Sequence, residues 1–169
     1  IFIGLFLFMN SIFFYLDVYA IGRVNFEYMF GSLATVLTFA VPILTMRMFA
    51  EERKNGTEQI LYTSPRSITS IVLGKFLAAT IIMVICEVFT LMYLGILKYF
   101  GQPHISTALV TLLGFLLLSM AYIAFGMFAS SITENQIIAG VITIAGLLVI
   151  WFMPSFYSSL SNFSLINVF

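Results

Sequence analysis

Charge is what this sequence has least of. Asp, Glu, Lys and Arg make up 8% of its 169 residues, and hydrophobic types make up 62%. A soluble domain has about 25% charged and about 45–50% apolar residues. A chain with so little polar side chain cannot cover itself in water, so its solvent is a bilayer. Seven basic and seven acidic residues cancel, which argues against nucleic acid as a partner. The single cysteine, Cys86, excludes an internal disulfide. One Cys and one His, His104, cannot assemble a zinc site, and no metal site is expected. There is no GxxxxGK followed by Ser or Thr to cradle a nucleotide, no HExxH and no GxSxG. The chain is therefore not expected to be an enzyme or to carry a cofactor of its own. It opens at Ile1, already apolar, with no basic leader and no small-residue cleavage site. A cut chain is expected there rather than a signal peptide.

The little charge present is concentrated. Met46–Lys75 holds Arg47, Arg53, Lys54, Arg66 and Lys75, and with them Glu51, Glu52 and Glu58. Almost nothing but apolar sequence flanks it. The stretch carries its own helix punctuation. Asn55-Gly56 can stop a helix arriving from Met46, because Gly accepts the left-handed conformation. Asn55 with Glu58 three residues later can start another, by the logic of the capping box. Ser64-Pro65 ends that piece. The spacing predicts a short helix over Thr57–Thr63, followed by a third helix that re-enters the membrane.

The apolar segments predict one all-α, polytopic transmembrane bundle with five visible spans. The first is residues 1–19, broken by Asn10, Ser11 and Asp17. A loop around Gly22 holds Asp17, Arg23 and Glu27, where Asp17 and Arg23 could pair. The second span is 29–49, with Pro42 inside it as an expected kink. The charged loop is 50–70 and the third span 71–97. The helical pattern there begins at Ser67 and reaches about Tyr99, roughly 48 Å at about 1.5 Å per residue. Its first turns belong in the interface, where Lys75 can snorkel to headgroups. A turn at Gly101-Gln102-Pro103 leads to the fourth span, 105–131. The later half of that span is rich in small residues that permit close helix approach, Gly126 and Ser130 among them. Thr133–Gln136 is a tight polar turn before the fifth span, 137–152. Residues 153–169 mix Ser, Asn and aromatics and suit half-inserted or interfacial helices. Aromatics near Trp151–Tyr157 fit an interfacial belt. The central loop has five Lys or Arg against one in each flanking loop, which makes loop 50–70 cytoplasmic.

MRMFAEERKNGTEQILYTSP followed by IVLGKFLA resembles the first cytoplasmic loop of ATP-binding-cassette type-2 permeases, the membrane subunits of exporters. Arg47, Phe49, Ala50, Glu51, Glu52, Gly56, Thr57, Glu58, Ser64, Pro65, Gly74 and Lys75 occupy the pattern. The resemblance implies a multi-pass plasma-membrane permease that forms a substrate path. It implies a separate ATPase subunit carrying ATP and Mg, and a second permease subunit, alike or different. It also implies a sixth span beyond Phe169 and an amphipathic helix before Ile1. The short helix becomes a coupling helix, and the loop residues expected to serve it are Glu51, Glu52, Arg53, Gly56, Thr57, Glu58, Ile60, Leu61, Ser64 and Pro65. Ile60, Leu61 and Tyr62 would give it an apolar ridge for a groove on the partner.

Glu87, about midway along the third span, is the intramembrane polar candidate. It either ties helices together by hydrogen bonds or serves an ion- or proton-coupled secondary transporter, the alternative function. A non-catalytic membrane scaffold is a third reading.

Overall fold

The computed structural model describes residues 2–16, 26–57, 67–100 and 105–166. Six helices follow in order: α1 Phe2–Tyr15, α2 Phe26–Thr45, α3 Ala50–Lys54, α4 Ile68–Phe100, α5 Ile105–Ile132 and α6 Gln136–Ile166. The described residues form an all-α bundle. Four helical stretches are long and apolar enough to cross a membrane: Phe30–Lys54, Ile68–Tyr93, Ser106–Ile132 and Gln136–Pro154. The apolar α1 is shorter.

Each of the apolar helices buries one stripe and leaves a largely apolar remainder exposed, as expected where lipid replaces water outside the bundle. On α2 the stripe is Phe30, Leu33, Leu37, Ala40 and Val41. On α5 it is Ala108, Leu112, Phe115, Ser119, Ile123 and Ser130. The three- and four-residue steps place each set on one face. These two stripes meet in the most extensive helix pair of the fold, with Phe30 edge-on to Phe115 at 5.0 Å between ring centroids. The pair α1 and α4 flanks this core, joined by Phe14 and Tyr93 at 4.8 Å. On another flank α6 packs against α2 and α5 through Ala139, Thr143 and Leu147. Its opposite face, with Ile137 and Val141, is exposed.

Close approach of α2 to α5 depends on Gly126. A Cβ there would lie 2.9 Å from the Cβ of Thr45, closer than real side chains come. The small residues of α5 thus act as the packing surface their spacing suggests.

Two helix ends differ from expectation. Residue Pro42 lies inside α2, as expected, but the α-helix stops one turn later at Thr45, short of the expected span end at 49. Likewise α6 continues through Pro154 to Ile166, where a break into half-inserted helices was expected. A proline removes one backbone donor and crowds the preceding turn, and in an apolar setting neighbouring helices compensate. The junctions that follow α2 and α5, residues 46–49 and 133–135, lie at the same end of the bundle, since α3 packs on both α5 and α6. In the second junction Asn135 caps α6 by accepting the Ile137 N–H at 3.0 Å.

Candidate functional site

Between α2 and α3 the chain leaves α geometry over residues 46–49. Such a break strands backbone donors and acceptors. Phe49 stands at the N-cap of α3 with no side-chain oxygen to offer. Ser130 of α5, fully buried, supplies what is missing. Its hydroxyl accepts the N–H groups of Phe49 and Ala50, both at 3.1 Å, and donates to the Met46 carbonyl at 3.2 Å. A hydroxyl has one donor and two lone pairs, so Ser130 is saturated by this one junction.

Lys75 holds the same junction from α4. Its ammonium donates to the Met48 carbonyl and to Glu52 Oε2, the latter at 2.5 Å. It also lies 4.3 Å from the centroid of the Phe49 ring, within cation–π range. The sequence reading sent Lys75 outward to headgroups. It turns inward because a loose carbonyl, a carboxylate and an aromatic face all lie beside the first turns of α4.

Past the junction, α3 carries Glu51 and Glu52 in its first turn and Arg53 and Lys54 in its last, matching the helix dipole. Gly56 then adopts φ 68°. The Gly56 N–H bonds the Arg53 carbonyl and the Thr57 N–H bonds the Glu52 carbonyl, both at 3.0 Å. That is the Schellman stop the Asn55-Gly56 pair foretold. Of the loop residues singled out in the sequence, Glu51, Glu52, Arg53, Gly56 and Thr57 are in place on this stalk. Glu58, Ile60, Leu61, Ser64 and Pro65, with most of the short helix expected over Thr57–Thr63, lie outside the described residues. So do Asp17, Arg23 and His104.

Beside the junction, the first turns of α4 and the last turns of α5 are separated by an apolar groove of about 440 Å³. Ile71, Val72 and Phe76 line one wall, Met127 and Phe128 the other, with Phe49 and Glu52 at the stalk. Lys75 bridges from α4 to the stalk alongside this gap.

Glu87 is not part of this assembly. It lies within α4, well away from the loop end, buried, with Oε1 lacking any hydrogen-bond partner.

A family model described as ABC-2 family transporter protein matches residues 19–169. The chain belongs to the ABC-2 transporter family. It is a multi-pass membrane permease of an ABC transporter. The match covers the stalk, its clasp and the four long apolar helices. Neither a curated protein nor a solved structure gave a match. Two residues that shape the permease's loop end escaped their local sequence signals. Ser130 reads as one more small packing residue, and its partners are 80 or more positions away. Lys75 reads as an interfacial cation, although the Gly74-Lys75 pair belonged to the resemblance.

Proposed function

We propose that this permease is the membrane-spanning half of an ATP-driven exporter, and that the loop after α2 is where a separate ATPase subunit pushes on it. The observation that carries this reading is the double attachment of the stalk. The backbone at Met46–Ala50 is held to α5 by Ser130 and to α4 by Lys75. A plain connector needs neither. Force applied to the loop at 50–70 reaches α2 through the chain, α5 through one hydroxyl and α4 through one ammonium.

The residues beyond Thr57 provide the docking surface in this scheme. Ile60 and Leu61 supply apolar area worth about 1.5–3 kcal/mol per side chain when buried against a partner. The loop is cytoplasmic, on the five-to-one excess of basic residues. A second permease subunit, alike or different, completes the path, and ATP and Mg reside on the ATPase.

The test is co-purification of the permease with its ATPase, followed by vanadate-sensitive ATP turnover. Wild type is expected to retain the ATPase, and the Ile60→Asp, Leu61→Asp double variant to lose it at normal membrane abundance. A double variant that still binds the ATPase and supports turnover would reduce the loop to a connector.

A further inference from the structure

Ile68 and Leu73 on α4 and Phe128 on α5 line the groove beside the stalk, and they stay 59%, 58% and 62% exposed. The groove thus opens on the outer surface of the bundle, where lipid is the solvent. Its volume of about 440 Å³ falls in the range of about 300–1,000 Å³ typical of ligand sites, which are likewise mostly apolar with a few polar groups. The polar groups stand at one end: Glu52 and Arg53 on the stalk and Ser131 near the end of α5. Along α4 the groove runs only from Ile68 to Phe76, roughly 12 Å at about 1.5 Å per residue. That is less than half of a hydrocarbon core of about 30 Å. The groove lies in the loop-side leaflet and does not cross the membrane, which makes it a seat and not a path.

Apolar walls open to a bilayer meet acyl chains before anything else. An empty gap forfeits the dispersion contacts of its lining, and lipid tails are as apolar as the leucines they touch. For the same reason a tail alone is not selected from bulk lipid, so selection has to come from the charged end. There Lys75 pairs with Glu52 at 2.5 Å, which offsets the carboxylate that would repel an anion. Arg53 is the cation lining the groove. A guanidinium presents five N–H donors in a fork that fits phosphate, enough to serve a lipid phosphate beside a protein partner. Over residues 46–57 together with Lys75, four basic residues stand against two acidic ones. Glu134 belongs to the other junction and does not line the groove. In the orientation proposed for the loop, this leaflet is the one that carries anionic lipid.

We propose that the groove seats one acyl chain of an anionic glycerophospholipid drawn from the loop-side leaflet, with the lipid phosphate held at Arg53. The lipid is a resident of the fold that fills the gap between α4 and α5. The seat stands whether or not the loop couples to an ATPase.

Native mass spectrometry of the protein in mild detergent tests it, with phosphatidylglycerol and phosphatidylcholine of identical chains added in equal amounts. Wild type is expected to retain one lipid per chain and to prefer phosphatidylglycerol by about five-fold, the equivalent of about 1 kcal/mol for one basic residue at an anionic lipid. Arg53→Gln should bring the two headgroups to parity while still retaining a lipid. Ala124→Phe, which puts a ring inside the groove, should lose the lipid with either headgroup. Val141→Phe, on the exposed face of α6, should behave as wild type. Overturning results are equal retention of the two lipids by wild type, a preference that survives Arg53→Gln, or a lipid kept by Ala124→Phe. Lipid-free wild type that self-associates, with the association broken by Ala124→Phe, would give the groove to a second copy and also overturns the proposal. If Ala124→Phe does not fold, the headgroup preference of wild type and its loss in Arg53→Gln decide.

Discussion

Two polar regions in this apolar bundle are built on opposite terms. At the loop end, Ser130 uses all three of its hydrogen-bonding positions on one backbone break, and Lys75 engages a carbonyl, a carboxylate and a ring. Within the spans, Asn10 and Glu87 each leave a buried acceptor open. A satisfied polar group rigidifies what it joins, and an unsatisfied one waits for a partner. The difference separates a fully satisfied junction from a polar region that is only partly satisfied.

Substitutions sharpen the contrast by the size of their effect on stability. Ser130→Ala has the largest. It leaves two N–H groups and a carbonyl without the hydroxyl that serves them, at about 1–3 kcal/mol for each buried group left unpaired. A loss of about 3 kcal/mol is expected, read as a lower melting temperature in nanodiscs, with Ser130→Thr recovering most of it. Gly126→Val comes next. It forces a side chain into Thr45 where α2 meets α5, and overpacking of this kind costs about 1–3 kcal/mol. Monodisperse protein at wild-type yield and melting temperature would show that the helices do not meet there.

Lys75→Met should cost less, about 1 kcal/mol, because its pair with Glu52 is partly exposed and such pairs contribute little to stability. Under the proposed coupling scheme its effect falls on ATP turnover rather than on folding. Asn10→Leu should cost least of all, within about 1 kcal/mol. It removes an amide whose oxygen was already unpaired, and apolar replacement of poorly satisfied polar groups is close to neutral. A loss as large as that of Ser130→Ala would mean that the Asn10–Thr90 bond is a structural tie, and the contrast between the two regions would fail.

How much of this was legible beforehand depends on the range of the interaction. Local signals served well. Asn55-Gly56 foretold the Schellman stop, Ser67 the start of α4, and Gly126 a close helix contact. The family was readable from one charged run whose residue order is far more specific than any apolar span. What failed was long-range. Pro154 looked like the end of a span, yet α6 runs through it to Ile166. Lys75 looked like a headgroup ligand because nothing local announces that the Met48 carbonyl and Glu52 sit within its reach. Ser130 could be placed on a packing face, yet its bond partners on residues 46–50 depend on how α5 crosses α2. Glu87 was flagged by depth alone, and the Asn10–Thr90 bond one turn along α4 appears only once α1 lies against α4.

The coupling role of the stalk meets its most direct test in ATP turnover by the permease–ATPase complex in proteoliposomes, comparing wild type with Lys75→Met. The ATPase docks beyond Thr57 in this scheme, so Lys75→Met should retain the partner in a pull-down at wild-type level. The change in turnover that the permease imposes on the ATPase should fall by about five-fold or more, because α4 no longer follows the stalk, and Lys75→Arg should retain a larger share of it. A Lys75→Met complex that assembles normally and turns over ATP as wild type does would contradict transmission of force through this junction.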